Sequence, residues 1–205
     1  MLVPSMTLSE IKSEIARDYP IVRRKAEYTG VKMKHIFHPH GKESKIQLLD
    51  YVSKNKNNWI IRIEVNKKEL KMSFLVYFYN EIGILGIIPS DDDAFIHVHT
   101  SHFFKRFNER LHLNLRTPVE ILHKYLDESD SYKSKITAEL APGIFKTFTL
   151  HSLGYCLGIM DNNIKVEKLN TFITHEMLGK NQISISEYIK KETENNEDPD
   201  YGWTI

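Results

Sequence analysis

A single cysteine, Cys156, stands in 205 residues, so no disulfide within the chain can staple it and a hydrophobic core must supply the stability. A chain of this length can bury such a core. Seven prolines and nine glycines are too few for a collagenous or low-complexity protein. Neither charge sign dominates: 28 basic against 27 acidic side chains leave a net charge of +1, which excludes a surface that coats nucleic acid or membrane through its overall field. Long apolar runs are missing as well. The longest, Ile82 to Ile88, is far below a membrane span, and the first ten residues lack a basic stretch followed by an apolar one. The expectation is a cytoplasmic protein with no membrane partner.

What is present is a mixture of two periodicities. Thr7 with Glu10 forms a capping-box pattern ahead of Leu8, Ile11 and Ile15, predicting a helix that ends before Pro20. A second short helix is expected over residues 43 to 54. From Trp59 the period drops to two: Trp59, Ile61, Ile63 and Val65 share one face while Arg62, Glu64 and Asn66 share the other. Leu70 to Phe78 alternates again after a turn at Lys67 to Glu69, and two short strands follow at Ile84 to Ile88 and Phe95 to His99.

Helical spacing then returns. Phe103, Phe104, Phe107 and Leu111 form one face of a helix, and His102, Lys105, Arg106, Glu109 and Arg110 form the other. Thr117, Pro118 and Glu120 supply the cap, first residue and third-position carboxylate of a second helix running to about Leu126. Four strands are expected at Ile136 to Ala141, Phe145 to His151, Gly154 to Met160 and Lys165 to Thr174, with turns at Pro142-Gly143 and Asp161-Asn162-Asn163. A last helix starts near Ser184 or Ser186.

The order of elements predicts an α+β fold in one domain over residues 1–205: N-terminal helices and a β-meander, then two central helices packed on a C-terminal antiparallel sheet. Within it the helical region covers 1–57, the meander 58–100 and the helix-helix-sheet core 101–178. An acidic tail over 192–205 reads as unstructured. Between residues 187 and 200, six acidic side chains oppose Lys190 and Lys191, a net of −4, so the rest of the chain carries +5. Over Lys105 to Arg116 there are four basic residues and one acidic. Overall balance therefore conceals a local basic site.

That site is Ser101-His102-Phe103-Phe104-Lys105-Arg106-Phe107-Asn108-Glu109-Arg110-Leu111, in which His102, Arg106 and Arg110 recur every four residues. Successive members rise about 6 Å along the axis, so one phosphodiester can meet an imidazole and a guanidinium together. Histidine titrates near neutrality and can carry a proton, whereas arginine offers a permanent fork of donors to phosphate oxygens. Glu109, on the same face, can orient either group or act as a base. The alternative is an ordinary solvated face opposite three phenylalanines.

This string, the Thr-Pro-capped helix after it, and a meander ending in Leu169-Asn170-Thr171-Phe172-Ile173-Thr174 resemble the compact nucleases and toxins of the barnase, EndoU, colicin and RelE type. The likeness spans about residues 97 to 178. It implies metal-independent RNA cleavage, in which the ribose 2′-hydroxyl attacks the adjacent phosphate. His102 would carry the proton, Arg106 and Arg110 would clamp the phosphate, and Thr171 would contribute a hydroxyl. RNA is then the expected ligand and no cofactor is needed. His151, aligned with Thr147 and Thr149 along its strand, is a second acid/base candidate if that row lines the same cleft.

Two other functions compete for these residues. A non-catalytic module of the same fold, such as an immunity, regulatory or mobile-element accessory protein, would use the basic stripe to hold a protein partner or inhibitor. Alternatively His97, His99 and His102 could ligate zinc, with three imidazoles leaving an open fourth position for hydrolysis. Asp91, Asp92, Asp93 and the pair His38 and His40 lie within reach of that idea in sequence, although no HExxH motif occurs. Tyr77, Phe78 and Tyr79 with Trp59 form either a base-stacking platform or core. Cys156, flanked by Gly-Tyr and Leu-Gly, reads as a packed strand residue rather than a reactive thiolate.

Overall fold

The Thr7 and Glu10 pair opens the first helix as predicted. The Glu10 carboxylate accepts from the Thr7 backbone N–H at 2.8 Å, and the Glu10 N–H donates to Thr7 Oγ1 at 3.3 Å. The computed structural model describes residues 1–36, 44–67, 69–90, 95–129, 133–179 and 182–187. His38, His40, Asp91 to Asp93 and the acidic tail lie outside those residues.

Helix α1 runs from Leu8 to Ile36 without ending at Pro20, which corrects the expected break. An internal proline removes one backbone hydrogen bond and crowds the carbonyl four residues before it. Here Ile15, Tyr19, Val22 and Ala26, on both sides of the exposed Pro20, are buried on one face. Burial of that continuous stripe at about 25 cal/mol per Å² offsets the local defect. The second helix expected over 43–54 is instead strand β1, Lys45–Val52, so the 1–57 region is not all helical. Strand β1 forms an edge of the sheet, with residues 44–47 exposed, and an edge strand need not alternate in hydrophobicity.

The remaining strands are β2 (Asn58–Val65), β3 (Leu70–Asn80), β4 (Gly83–Pro89) and β5 (Ile96–His99). Helices α2 (Ser101–Arg110) and α3 (Pro118–Asp127) follow, then β6 (Lys133–Ala141), β7 (Ile144–His151), β8 (Gly154–Asp161) and β9 (Val166–Ile173). All nine strands form one sheet in the order β1-β2-β3-β4-β5-β9-β8-β7-β6. Every pairing is antiparallel except β5 with β9, where Ile96 lies opposite Val166 and His99 opposite Leu169. The fold is α+β, and the sheet crosses all of the regional boundaries expected from sequence. A 3₁₀ turn at His175–Met177 and a helical turn at 182–187 end the described chain.

The sheet has two covered faces. Trp59, Ile61, Ile63 and Val65 of β2 pack under α1 with Phe74, Val76 and Val98. Ile60 and Leu75 point the other way and join the phenylalanines of α2 and Leu122, Tyr125 and Leu126 of α3. Helix α1 is pinned by a buried carboxylate: Asp18 Oδ2 accepts from the Trp59 indole and from the Asn57 amide, each at 2.9 Å. Helix α2 lies along β9 and α3 over β2 and β3. Gly86 of β4 lets α2 approach that strand as well, since a Cβ there would come within 2.8 Å of the Phe104 ring.

The C-terminal meander is curled. Strands β7 and β9 flank β8 and would be about 9–10 Å apart in a flat sheet. Yet Thr149 Oγ1 of β7 donates to Glu167 Oε1 of β9 at 3.0 Å. Gly158 of β8 lies beneath that closure: a Cβ there would sit 2.6 Å from the Lys168 carbonyl oxygen and 3.1 Å from Thr147 Oγ1. A bulge between Leu157 and Gly158 adds to the bend.

Candidate functional site

Helix α2 carries the predicted stripe and is capped by Thr100, whose hydroxyl accepts from the Phe103 N–H at 3.2 Å. Phe103, Phe104 and Phe107 are buried, while His102, Lys105 and Glu109 are exposed and Arg106 and Arg110 half-buried. The three stripe residues have different surroundings. His102 stands in solvent. Arg106 Nη1 pairs with Glu109 Oε2 at 2.9 Å, and the Lys105 ammonium is 3.9 Å from the same carboxylate. Arg110 turns inward, donates to the Phe172 carbonyl and reaches Thr171 Oγ1 at 3.5 Å. Arg110 and Thr171 are therefore brought together as expected, although Arg110 also closes the edge of β9.

His151 is not on that surface. It is buried on the other side of α2, its ring stacked on Tyr125 with centroids 5.0 Å apart and 9° between planes. Its Nδ1 accepts from the Leu153 N–H at 3.1 Å, which leaves Nε2 to donate to Ser129 Oγ at 3.1 Å. The ring is thereby held neutral. Burial pushes its pKa down to about 4, with Glu128 working weakly against the shift. The row of Thr147, Thr149 and His151 faces the interior, so the candidate acid/base role for His151 at the stripe is corrected to a packing and hydrogen-bonding one.

The histidines of β5 are buried too. His97 Nδ1 lies 2.8 Å from Glu167 Oε2, and His99 Nε2 lies 2.8 Å from the Tyr125 hydroxyl. Burial, with His97 close by, pushes the His99 pKa down to about 3. His102 is exposed on α2, apart from these engaged rings. Among the described residues no three His, Cys, Asp or Glu side chains converge as a metal site.

Sequence reasoning missed Glu167. It is buried and receives Thr149 at 3.0 Å and Ser134 at 3.2 and 3.3 Å, besides His97. Burial alone would raise its pKa, but the hydrogen bond and charge of His97, together with the hydroxyls, hold it below the ordinary carboxylate value. In a strand read as alternating, Glu167 gives no signal of its own. Only the neighbourhood of His97 in a parallel strand, and the glycine at 158 that lets the sheet curl, could have revealed it.

Cys156 is a buried strand residue, and burial raises its thiol pKa well above the ordinary value. Trp59 and Phe78 belong to the core under α1, so the aromatic set is not a stacking platform, and Tyr79 alone of the four is largely exposed. No family model, curated protein or solved structure matches this chain. Among the described residues no helix is long and apolar enough to cross a membrane.

Beside Thr171, on the sheet face away from α2, lies a cavity of about 340 Å³ between β7, β8, β9 and the turn at 182–187. Thr171 therefore links Arg110 to a concave surface.

Proposed function

We propose that this chain is a ribonuclease-like protein that binds RNA phosphodiesters along α2, with Arg106 and Arg110 as phosphate ligands, Thr171 as a hydroxyl contact and His102 as the proton carrier for 2′-hydroxyl attack. The observation that carries this reading is the contact of Arg110, on the exposed stripe of α2 that also bears Arg106 and His102, with Thr171, which itself lines the cavity on the other face of the sheet. Among the described residues Arg106 pairs only with the exposed carboxylate of Glu109, and such a pair holds by about 1 kcal/mol or less, so a phosphate can displace Glu109. The chemistry needs no metal: attack by the ribose hydroxyl on phosphorus expels the 5′-oxygen, with one proton removed and one delivered.

Single-stranded RNA incubated with the protein in EDTA tests the catalytic part. Cleavage to 2′,3′-cyclic phosphate ends that is lost in His102→Ala supports it; cleavage undiminished in that variant sinks it. Fluorescence anisotropy tests the binding part. Arg106→Ala should weaken binding and lower the logarithmic salt slope by about one. No RNA binding by the wild type at low salt overturns the reading altogether.

The second reading, a non-catalytic RNA- or protein-binding module, is favoured by the sequestration of His151. Without it the stripe holds one imidazole, His102, for a reaction that uses a base and then an acid. Binding without turnover on any RNA is its expected result.

A further inference from the structure

The cavity beside Thr171 is lined mainly by apolar surface, with a few polar side chains among it. Phe148, Leu157, Ile159 and Ile185 supply apolar surface, and Ile159 remains 39% exposed beside it. Lys146, Asn170 and Thr171 are among its polar lining residues. The Asn170 carboxamide has no hydrogen-bond partner and the Lys146 ammonium no ion pair among the described residues. Gln182 closes one side, its Oε1 already accepting from the Gly179 N–H at 3.0 Å. At about 340 Å³ the volume falls at the small end of sites for compact ligands, which run from about 300 Å³ upward.

Apolar side chains, one carboxamide with both donor and acceptor, and an exposed lysine among the lining residues match a nucleobase attached to a phosphate. The base covers the hydrophobic side chains, the amide meets its hydrogen-bonding edge, and the cation meets the backbone. Arg110 is 3.5 Å from Thr171, a lining residue of the cavity, so the phosphate of the same nucleotide can rest beside Thr171. We propose that this cavity is a nucleobase subsite, taking one base of a single-stranded RNA whose adjoining phosphates lie on Arg110 and Lys146. The inference rests on the RNA-binding reading of α2 and names the part of the ligand that α2 does not touch.

Two measurements on the full chain test it. In the first, the four nucleoside 5′-monophosphates are titrated while the side-chain amide of Asn170 is followed by NMR. In the second, anisotropy compares four homopolymeric single-stranded RNAs on the wild type, Asn170→Ala, Asn170→Asp and Lys146→Ala. The expected results are a shift of the Asn170 amide by at least one nucleotide, and a base preference in the wild type. Asn170→Ala should lose about tenfold in affinity for the preferred RNA, as one stacked and hydrogen-bonded base contributes. Asn170→Asp, of the same size, should change the order of preference.

RNA binding with no base preference, unchanged by Asn170→Ala, overturns the subsite and leaves the α2 reading intact. Mononucleotides that move the Asn170 amide while no RNA binds through Arg106 support the subsite and overturn the α2 reading. Silence in both measurements overturns both.

Discussion

In the half of the sheet formed by β1 to β4, the strand side chains under the helices are mostly apolar, Trp59, Ile61 and Val76 toward α1 and Ile60 and Leu75 toward α3. Its buried polar contacts are few, among them Arg62 with Glu64, and Asp18 and Glu14 of α1 with Asn57 and Trp59. In the half formed by β6 to β9, the same four-stranded antiparallel plan encloses Ser134, Thr149 and Glu167, with His97 reaching in from β5. Apolar packing depends on volume and tolerates small changes, whereas a buried polar cluster depends on every member having its partner. The difference teaches where each half is vulnerable, and it can be broken experimentally.

The largest effect is expected from Glu167→Leu, which leaves His97, Thr149 and Ser134 facing a group that cannot accept. The expected loss is about 3–5 kcal/mol, read by urea denaturation. If it costs no more than a conservative change in the first half, the contrast between the halves is wrong.

The next effect is a pH dependence that comes chiefly from the imidazoles behind α2. In the unfolded chain His99 and His151 titrate near 6.5, but in the fold they are held neutral down to about 3 and about 4. Their contribution is complete above pH 6.5. Below it the unfolded chain takes up protons that the fold refuses, so stability falls by about 1.4 kcal/mol per pH unit for each histidine. Glu167, shifted down, contributes above the ordinary carboxylate range and loses that contribution as the pH drops below it, which adds to the acid loss. Denaturation at pH 7, 6 and 5 checks the sign, and a flat profile over that interval refutes it. His151→Gln should remove about half of the slope above pH 5.

Ile61→Val in the first half should cost about 1 kcal/mol, measured in the same way, and should leave the pH profile unchanged. Smallest of all, Arg106→Ala should alter stability by less than about 0.5 kcal/mol while weakening RNA. A large loss of stability there would show that the stripe is structural throughout.

Much of this arrangement was legible because the period of the sequence follows the period of burial. Trp59, Ile61, Ile63 and Val65, the three phenylalanines of α2 and the Thr117 capping box all lie where their spacing puts them. Strand β1 carries a helix-like pattern because Leu48 and Leu49, adjacent and both half-buried at an edge, break the alternation. Pro20 signals a helix end, but the tertiary contacts of α1 outweigh that local rule. The stripe was legible as a helix face, but not that Arg110 would be drawn to Phe172 or that His151 would be covered by Tyr125. Those outcomes come from tertiary contacts of α2 and α3 with β9 and β7, which leave no periodic trace.

The pairing of β5 with β9 has a kinetic consequence. Each meander joins strands that are neighbours in sequence, but His97 and Glu167 meet across 70 residues. Closing a loop of that length costs entropy before any contact repays it. During synthesis the first meander and α1 can assemble while the second is still incomplete, leaving β5 with an unpaired edge. Pairing of β9 with that edge therefore carries a larger loop-closure cost than any pairing within either meander, and until it forms β5 presents an open edge.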